Sequence, residues 1–329
     1  MRERPSAGGA SEARRWPATQ PKSDRGPSGP LRSSKSGKQA SDSYVRRTGA
    51  RLLRRPSAVV GLAVVAVFGL AGLLAPVVSP YGLAETSSEF RAGPSPDHWL
   101  GTDMIGKDTF SQLLFGLRTS LWASLVAVTL AVVVGTAIGL CSGYFGGRTD
   151  QVLMRMVDAI LSFPGLLTAM VVVGLLGPSV LNAMIGLSVA FMPLFARLVR
   201  GQVLAVREEN YVKAALVVGA GPGRIIRRHV LPNVAPSLVV QAFMTLGFAL
   251  LAEGALAFLG LSVRPPETSL GSMLRRGFGA VNETPRLVLV PGLAITVLTL
   301  AFNTVADGLR DAMARPTAAT DRDPVEGRL

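Results

Sequence analysis

Six stretches of the chain are long and apolar enough to be read as helices that cross a bilayer, and polar, Gly- and Pro-rich stretches separate them. The first runs from Ser57 to Val78 without a charge. At about 1.5 Å per residue it reaches roughly 33 Å, enough to cross a hydrocarbon core. Arg54 and Arg55 close one end, and Pro76, Pro80 and Gly82 end the helix at the other. The second span, Thr119 to Cys141, places Gly135 and Gly139 four residues apart, a small-residue face that lets another helix approach closely. The third runs from Leu153 to Leu176 and contains Asp158, Ser162 and Pro164; the fourth, Ser179 to Phe195, contains Asn182 and Pro193. Gly177-Pro178 makes the turn between them. The fifth, Ser237 to Leu261, holds a single acid, Glu253, and the sixth runs from Leu287 to Ala306. The pattern predicts an all-α integral membrane protein with six transmembrane helices.

Composition agrees. Of 329 residues 49% are apolar and 17% charged, against about 25% charged in an ordinary globular chain, and the mean hydropathy is +0.39. One cysteine and two histidines exclude an internal disulfide and a Cys-based structural zinc site, which needs four ligands. Cys141 reads as a small packing residue within an apolar stretch. His98 and His229 lie far apart in the chain, on what the span count makes opposite membrane faces, so no metal site is expected.

The net charge of +13 is concentrated at the N-terminus, where residues 1–56 carry 14 Lys/Arg against four acids. This Ser/Gly/Pro-rich stretch lacks periodicity and predicts a disordered basic tail. Trp16 and Tyr44 are too sparse for base stacking, so lipid rather than nucleic acid is the expected partner. It is also too long before its apolar run to be a cleaved leader. With the N-terminus inside, the inner segments hold 27 basic residues and the outer ones 7. The charge bias therefore predicts both termini cytoplasmic in a multi-pass cell-membrane protein. The organisation expected is a cytoplasmic tail over 1–56, a first helix over 57–78 and an extracytoplasmic segment over 79–118. A five-helix core over 119–306 follows, with a cytoplasmic loop at 197–236, then a C-terminal tail over 307–329.

The 197–236 loop is the most informative segment. Glu208 and Glu209 stand at the start of a short helical pattern, where acids complement the dipole. Tyr211, Ala215 and Val218 then recur on one face. Gly219 fits the position after a helix where φ turns positive, Pro222 fits the first turn of a second short helix, and Pro232 is expected to stop it. Periodicity alone supports equally well an amphipathic loop lying on the membrane surface. The run from Tyr211 to Asn233 resembles the EAA loop of ABC importer permeases, with Ala214, Ala215, Gly219, Leu231 and Pro232 at matching spacing. Lys213 stands where the general motif has Glu, and His229 where it has Ile. The ending Arg228-His-Val-Leu-Pro-Asn233 is similar to the dipeptide/oligopeptide/nickel branch. So are Leu100 to Asp108, Leu113 to Leu121, Val157 to Pro164, Glu253 to Leu261, Pro265-Pro266, Gly271 to Leu274 and Asp307 to Asp311. The resemblance covers residues 45–316.

That resemblance implies a type I importer permease that pairs with a second, related permease subunit. Two cytoplasmic ATP-binding subunits would receive the EAA helices in grooves, and an extracytoplasmic solute-binding protein would deliver the substrate. Peptides fit best, with nickel, other metal chelates and certain sugars as alternatives. ATP is then used by the partner subunits, with no cofactor bound by this chain and no enzymatic activity of its own. Consistently, neither Gly37-Lys38-Gln39 nor Gly106-Lys107-Asp108 completes a phosphate-binding loop. Asp158 and Glu253 are acids at membrane depth, and each either lines the translocation path or makes a polar contact between helices. An ion-coupled secondary transporter using those two acids is the alternative class, but it predicts two sequence-related halves, which are not found. An intramembrane enzyme would need a nucleophile with its base, for which the dispersed His and Cys residues are poor material. The charge asymmetry makes a direct prediction. Reporter fusions after Pro94 and Pro266 should read outside, and those after Gly146, Arg207 and Arg315 inside; an outside signal at Arg207 contradicts the arrangement.

Overall fold

The computed structural model describes Gly49 and residues 51–313, so the readings for most of the 1–56 tail and for the end of the 307–329 tail lie outside the described residues. The helices in chain order are α1 (Pro56–Leu73), α2 (Ala75–Val78), α3 (Thr109–Phe145), α4 (Gly147–Leu161), α5 (Gly165–Leu176) and α6 (Val180–Arg207). They continue with α7 (Asn210–Val217), α8 (Pro222–Ile225), α9 (Leu231–Phe258), α10 (Leu270–Phe278) and α11 (Arg286–Met313). Five are long and apolar enough to cross a membrane, with α8 and α9 taken as one, and the bent pair α4–α5 makes a sixth crossing. Leu175 and Val77 are each 83% exposed, and Val67, Val171, Leu293 and Leu300 also point outward. Such a surface is stable against lipid and costly against water.

Several boundaries differ from the sequence reading: the first span breaks at Leu74 into α1 and α2, and the sixth continues to Met313 into the expected C-terminal tail. Three further differences have a clear local reason. Helix α3 begins ten residues earlier than the expected Thr119, because the Asp108 carboxylate accepts from the Ser111 amide at 2.7 Å and caps it. Its 37 residues extend about 55 Å, well beyond a 30 Å hydrocarbon core. The third span is not one helix: α4 and α5 meet at 92° across Ser162–Pro164. Pro164 has no N–H to donate and drives Phe163 out of helical geometry. With 12 residues, α5 reaches only about 18 Å and crosses only in company with α4. Helix α6 continues through Arg207, so the polar segment that begins at Arg197 is helical for its first three turns.

The seam between α3 and α6 holds the bundle's centre. A Cβ on Gly135 would lie 2.6 Å from the Met192 carbonyl oxygen, and one on Gly139 would lie 2.6 Å from that of Ala196. One on Gly143 would lie 2.8 Å from the Val203 Cβ. The partners ascend together along both helices, so α3 and α6 run in the same direction, joined through α4 and α5. The start of α1 lies beside the end of α11, tied by Arg55 to Asp311, with Gly308 against Ala58. At the opposite end the 79–108 segment and α10 form a polar cap, in which His98 Nδ1 lies 3.0 Å from Asp108 and Arg286 donates to the Ala92 and Thr102 carbonyls.

The seam is testable with one methyl group. Gly139→Ala should lower stability by about 1–3 kcal/mol through overpacking, despite its better helix propensity. Gly174→Ala, where nothing lies within 4 Å, should be neutral or slightly stabilising. Thermal unfolding of the detergent-solubilised protein reads both; equal melting for the two variants contradicts the close approach.

Candidate coupling loop and the acids at membrane depth

Between α6 and α9 the chain makes a compact hairpin at the end of the bundle that also carries the start of α1 and the end of α11. Helix α7 starts after Glu209 and buries one residue, Val212. Lys213 pairs with Glu208 at 2.9 Å, and the ammonium's hydrogen bond holds that exposed carboxyl below the usual carboxylate range. The helix closes as a Schellman turn: the Ala220 amide donates to Ala215 and the Gly219 amide to Leu216. Gly219 has φ +80° with open space around it, so it is required for its backbone conformation and not for room.

The return arm departs from expectation. Pro232 does not stop a helix. After α8, residues Ile226–Val230 form a π turn that runs directly into α9, with Pro232 in that helix's first turn. Proline cannot donate to a carbonyl one turn back, and the wider π turn gives its ring room. Ile225, Val230 and Val234 are all buried, at spacings of five and then four residues, and the five-residue step is the sequence trace of that turn. With Val212 they join the core cluster that contains Val199 and Val203 of α6. The loop is therefore packed onto α6 through apolar side chains.

The six residues singled out from sequence all lie in this hairpin. Tyr211 packs against His229 with ring centroids 5.7 Å apart and planes tilted by 48°, and its hydroxyl accepts from Asn233 Nδ2 at 3.1 Å, which ties the two arms. Ala214, Leu231 and Pro232 are exposed, and Ala215 is half-buried beneath the turn. Val218, placed on the expected face, is 87% exposed, as is Val217. Sequence reasoning missed the anchors Val212, Ile225 and Val230, and it missed Val217 as half of the exposed ridge. The loop's tip thus presents two valines with Leu216 beside them.

The two acids have separate surroundings. Asp158 on α4 accepts from Arg197 NH2 on α6 at 2.7 Å, with both side chains about half exposed. Glu253 on α9 is fully buried; its Oε1 accepts from Ser262 Oγ at 3.2 Å, and Ser120 and Ser269 lie beside it. Its Oε2 has no partner among the described residues. The structure does not bring the two acids together. A cavity of about 830 Å³ lies between α1, α3 and the start of α6 with Arg118, Trp122 and Glu267 in its lining, and neither acid lines it. His98 sits in the polar cap and His229 in the hairpin, at opposite ends of the bundle.

Residues 135–318 match the family described as binding-protein-dependent transport system inner membrane component. The chain belongs to that family. Residues 43–94 match the N-terminal transmembrane domain of oligopeptide transport permease C. The dipeptide transport system permease protein DppC of Alkalihalophilus pseudofirmus is 40% identical over 80% of this chain and 87% of its own length. The glutathione transport system permease protein GsiD of Pectobacterium atrosepticum is 38% identical over 80% and 88% respectively. A solved structure of the MetNI methionine ABC transporter, in an inward-facing conformation, shares the fold at a TM-score of 0.50. That match has 19% identity and covers 62% of this chain and 97% of the other. The protein is thus a permease subunit of an ABC importer, a multi-pass membrane component whose ATP hydrolysis belongs to separate subunits. The matched region runs from the middle of α3 through α11 and contains the whole hairpin. Membership removes the ion-coupled carrier and the intramembrane enzyme from consideration.

Proposed function

We propose that this permease imports peptides, and that the hairpin at 208–233 is where cytoplasmic ATPase subunits take hold of it. The observation that carries the reading is the exposed ridge of Val217 and Val218 on a hairpin whose base is packed into α6. An apolar ridge with this exposure is stabilised when a partner groove covers it. The charge asymmetry supports a cytoplasmic position for the hairpin and for both termini. A second, related permease subunit would complete the translocation path, and an extracytoplasmic solute-binding protein would feed it. Peptide import is supported by the names of the relatives, which are transporters of dipeptides and glutathione. Lipid is the solvent of the exposed apolar faces, and no cofactor is assigned to this chain.

Two substitutions outside the spans test the docking. Gly219→Val forces a β-branched residue to φ +80°, which disfavours the turn. Ala215→Asp places an unpaired carboxylate under the docking ridge. Both variants should reach the membrane at normal level, lose co-purification of the ATPase subunits and lower dipeptide uptake by about tenfold or more. Retained partners together with normal uptake in both variants contradict the assignment.

A further inference from the structure

Helix α6 carries the hairpin at its end, and a polar junction just above that end joins three helices. Arg200 of α6 grips Asp150 of α4 through two parallel bonds, Nε to Oδ1 at 2.5 Å and NH2 to Oδ2 at 2.6 Å. Asp150 Oδ1 also accepts from Ser142 Oγ of α3, whose side chain is fully buried. Two turns of α6 further on, Arg207 NH1 donates to the Tyr144 carbonyl of α3 at 3.0 Å. The pair is only part-exposed, at 34% for Arg200 and 21% for Asp150. A forked guanidinium–carboxylate pair of this kind fixes direction as well as distance. Asp150 also sits in the first turn of α4, where the helix dipole favours its charge.

The junction stands where motion must pass from one helix to its neighbours. At the same level, Val212 and Ile225 of the hairpin share one apolar cluster with Val199 and Val203, which lie on either side of Arg200 on α6. Gly139 and Gly143, on either side of Ser142, hold α3 in close contact with α6. Apolar packing resists separation and overlap, but a helix can still roll on its neighbour. A bidentate pair placed off the seam resists the roll. The weaker Asp158–Arg197 pair lies further along the same two helices, α4 and α6.

From this arrangement we infer that Asp150, Arg200 and Ser142 form a strut that converts displacement of the hairpin into joint movement of α3, α4 and α6. We assign them as positioning residues, which act through the helices they join. The inference rests on the reading of the hairpin as the ATPase docking element. Its consequence is that breaking the strut leaves partners docked and hydrolysing ATP while the bundle no longer follows.

The test uses the assembled transporter in proteoliposomes, with Cys141→Ala as background. Spin labels at Phe145→Cys, at the end of α3, and Leu300→Cys, on α11, are both on exposed positions. The distance between them is read by pulsed electron paramagnetic resonance with and without ATP, beside the hydrolysis rate. The unaltered strut should show an ATP-dependent distance change. Asp150→Asn and Arg200→Met should each lose that change while keeping hydrolysis within about twofold. Persistence of the change in both variants overturns the strut, and so does failure of both to assemble, which would make the pair a folding element only. Gly219→Val separates the two layers of the account. If it abolishes the distance change and the strut variants do not, the strut alone fails. If Gly219→Val leaves the change intact with partners bound, the docking assignment fails.

Discussion

The close approach of α3 and α6 is the constraint on which the rest of the structure depends. Without side chains at Gly135, Gly139 and Gly143, the two helices meet almost backbone to backbone, and that contact sets where everything else can sit. In lipid no hydrophobic effect drives two apolar helices together; dispersion and close fit must do so, and glycine supplies the fit. The seam then dictates the connection. Because α3 and α6 run in the same direction, the chain between them must return across the bundle. It does so with the 92° elbow of α4 and α5, leaving the charged face of α4 against the polar end of α6.

The hairpin inherits its rigidity from the same seam. Its exposed ridge is only useful to a partner if a push on Val217 and Val218 reaches the spans without being absorbed by a flexible loop. The Schellman turn at Gly219, the tie of Tyr211 to His229 and Asn233, and the buried anchors Val212, Ile225 and Val230 each remove a way for the loop to yield. Running the π turn straight into α9 gives the hairpin a second rigid support, so that two long helices and not one leave its base.

Much of this was legible in the amino-acid sequence, and the parts that were not share a cause. Apolar runs located the crossings because lipid imposes one requirement on every residue it touches. Gly135 and Gly139 announced the seam by their spacing, and Gly219 announced its positive φ by its place after an apolar face. The elbow at Pro164 was hidden because hydropathy averages over a window and does not separate a kinked span from a broken one. The early start of α3 was hidden because Thr109 to Arg118 packs against α10 and the polar cap, with Ser111 and Gln112 buried there in hydrogen bonds. Asp150 with Arg200, fifty residues apart, and Glu253 with its serines are long-range meetings that no local pattern encodes. Pro232 misled because its usual effect was cancelled by a π turn that only the spacing of Ile225, Val230 and Val234 betrays.

The central claim, that the ridge at the hairpin's tip is the surface an ATPase subunit covers, is tested most directly by cross-linking in the intact membrane. In the Cys141→Ala background, single cysteines at Val217 and Val218 are compared with cysteines at Leu175, on the lipid-facing side of α5, and Met104, in the polar cap at the opposite end. With the ATPase subunits co-expressed, a short thiol-to-amine cross-linker should join the hairpin positions to an ATPase subunit, with a yield that changes when ATP is added. Leu175 and Met104 should give none. Cross-linking of Met104 to an ATPase subunit, with Val217 and Val218 silent, would place the partners at the other end of the bundle and contradict the account.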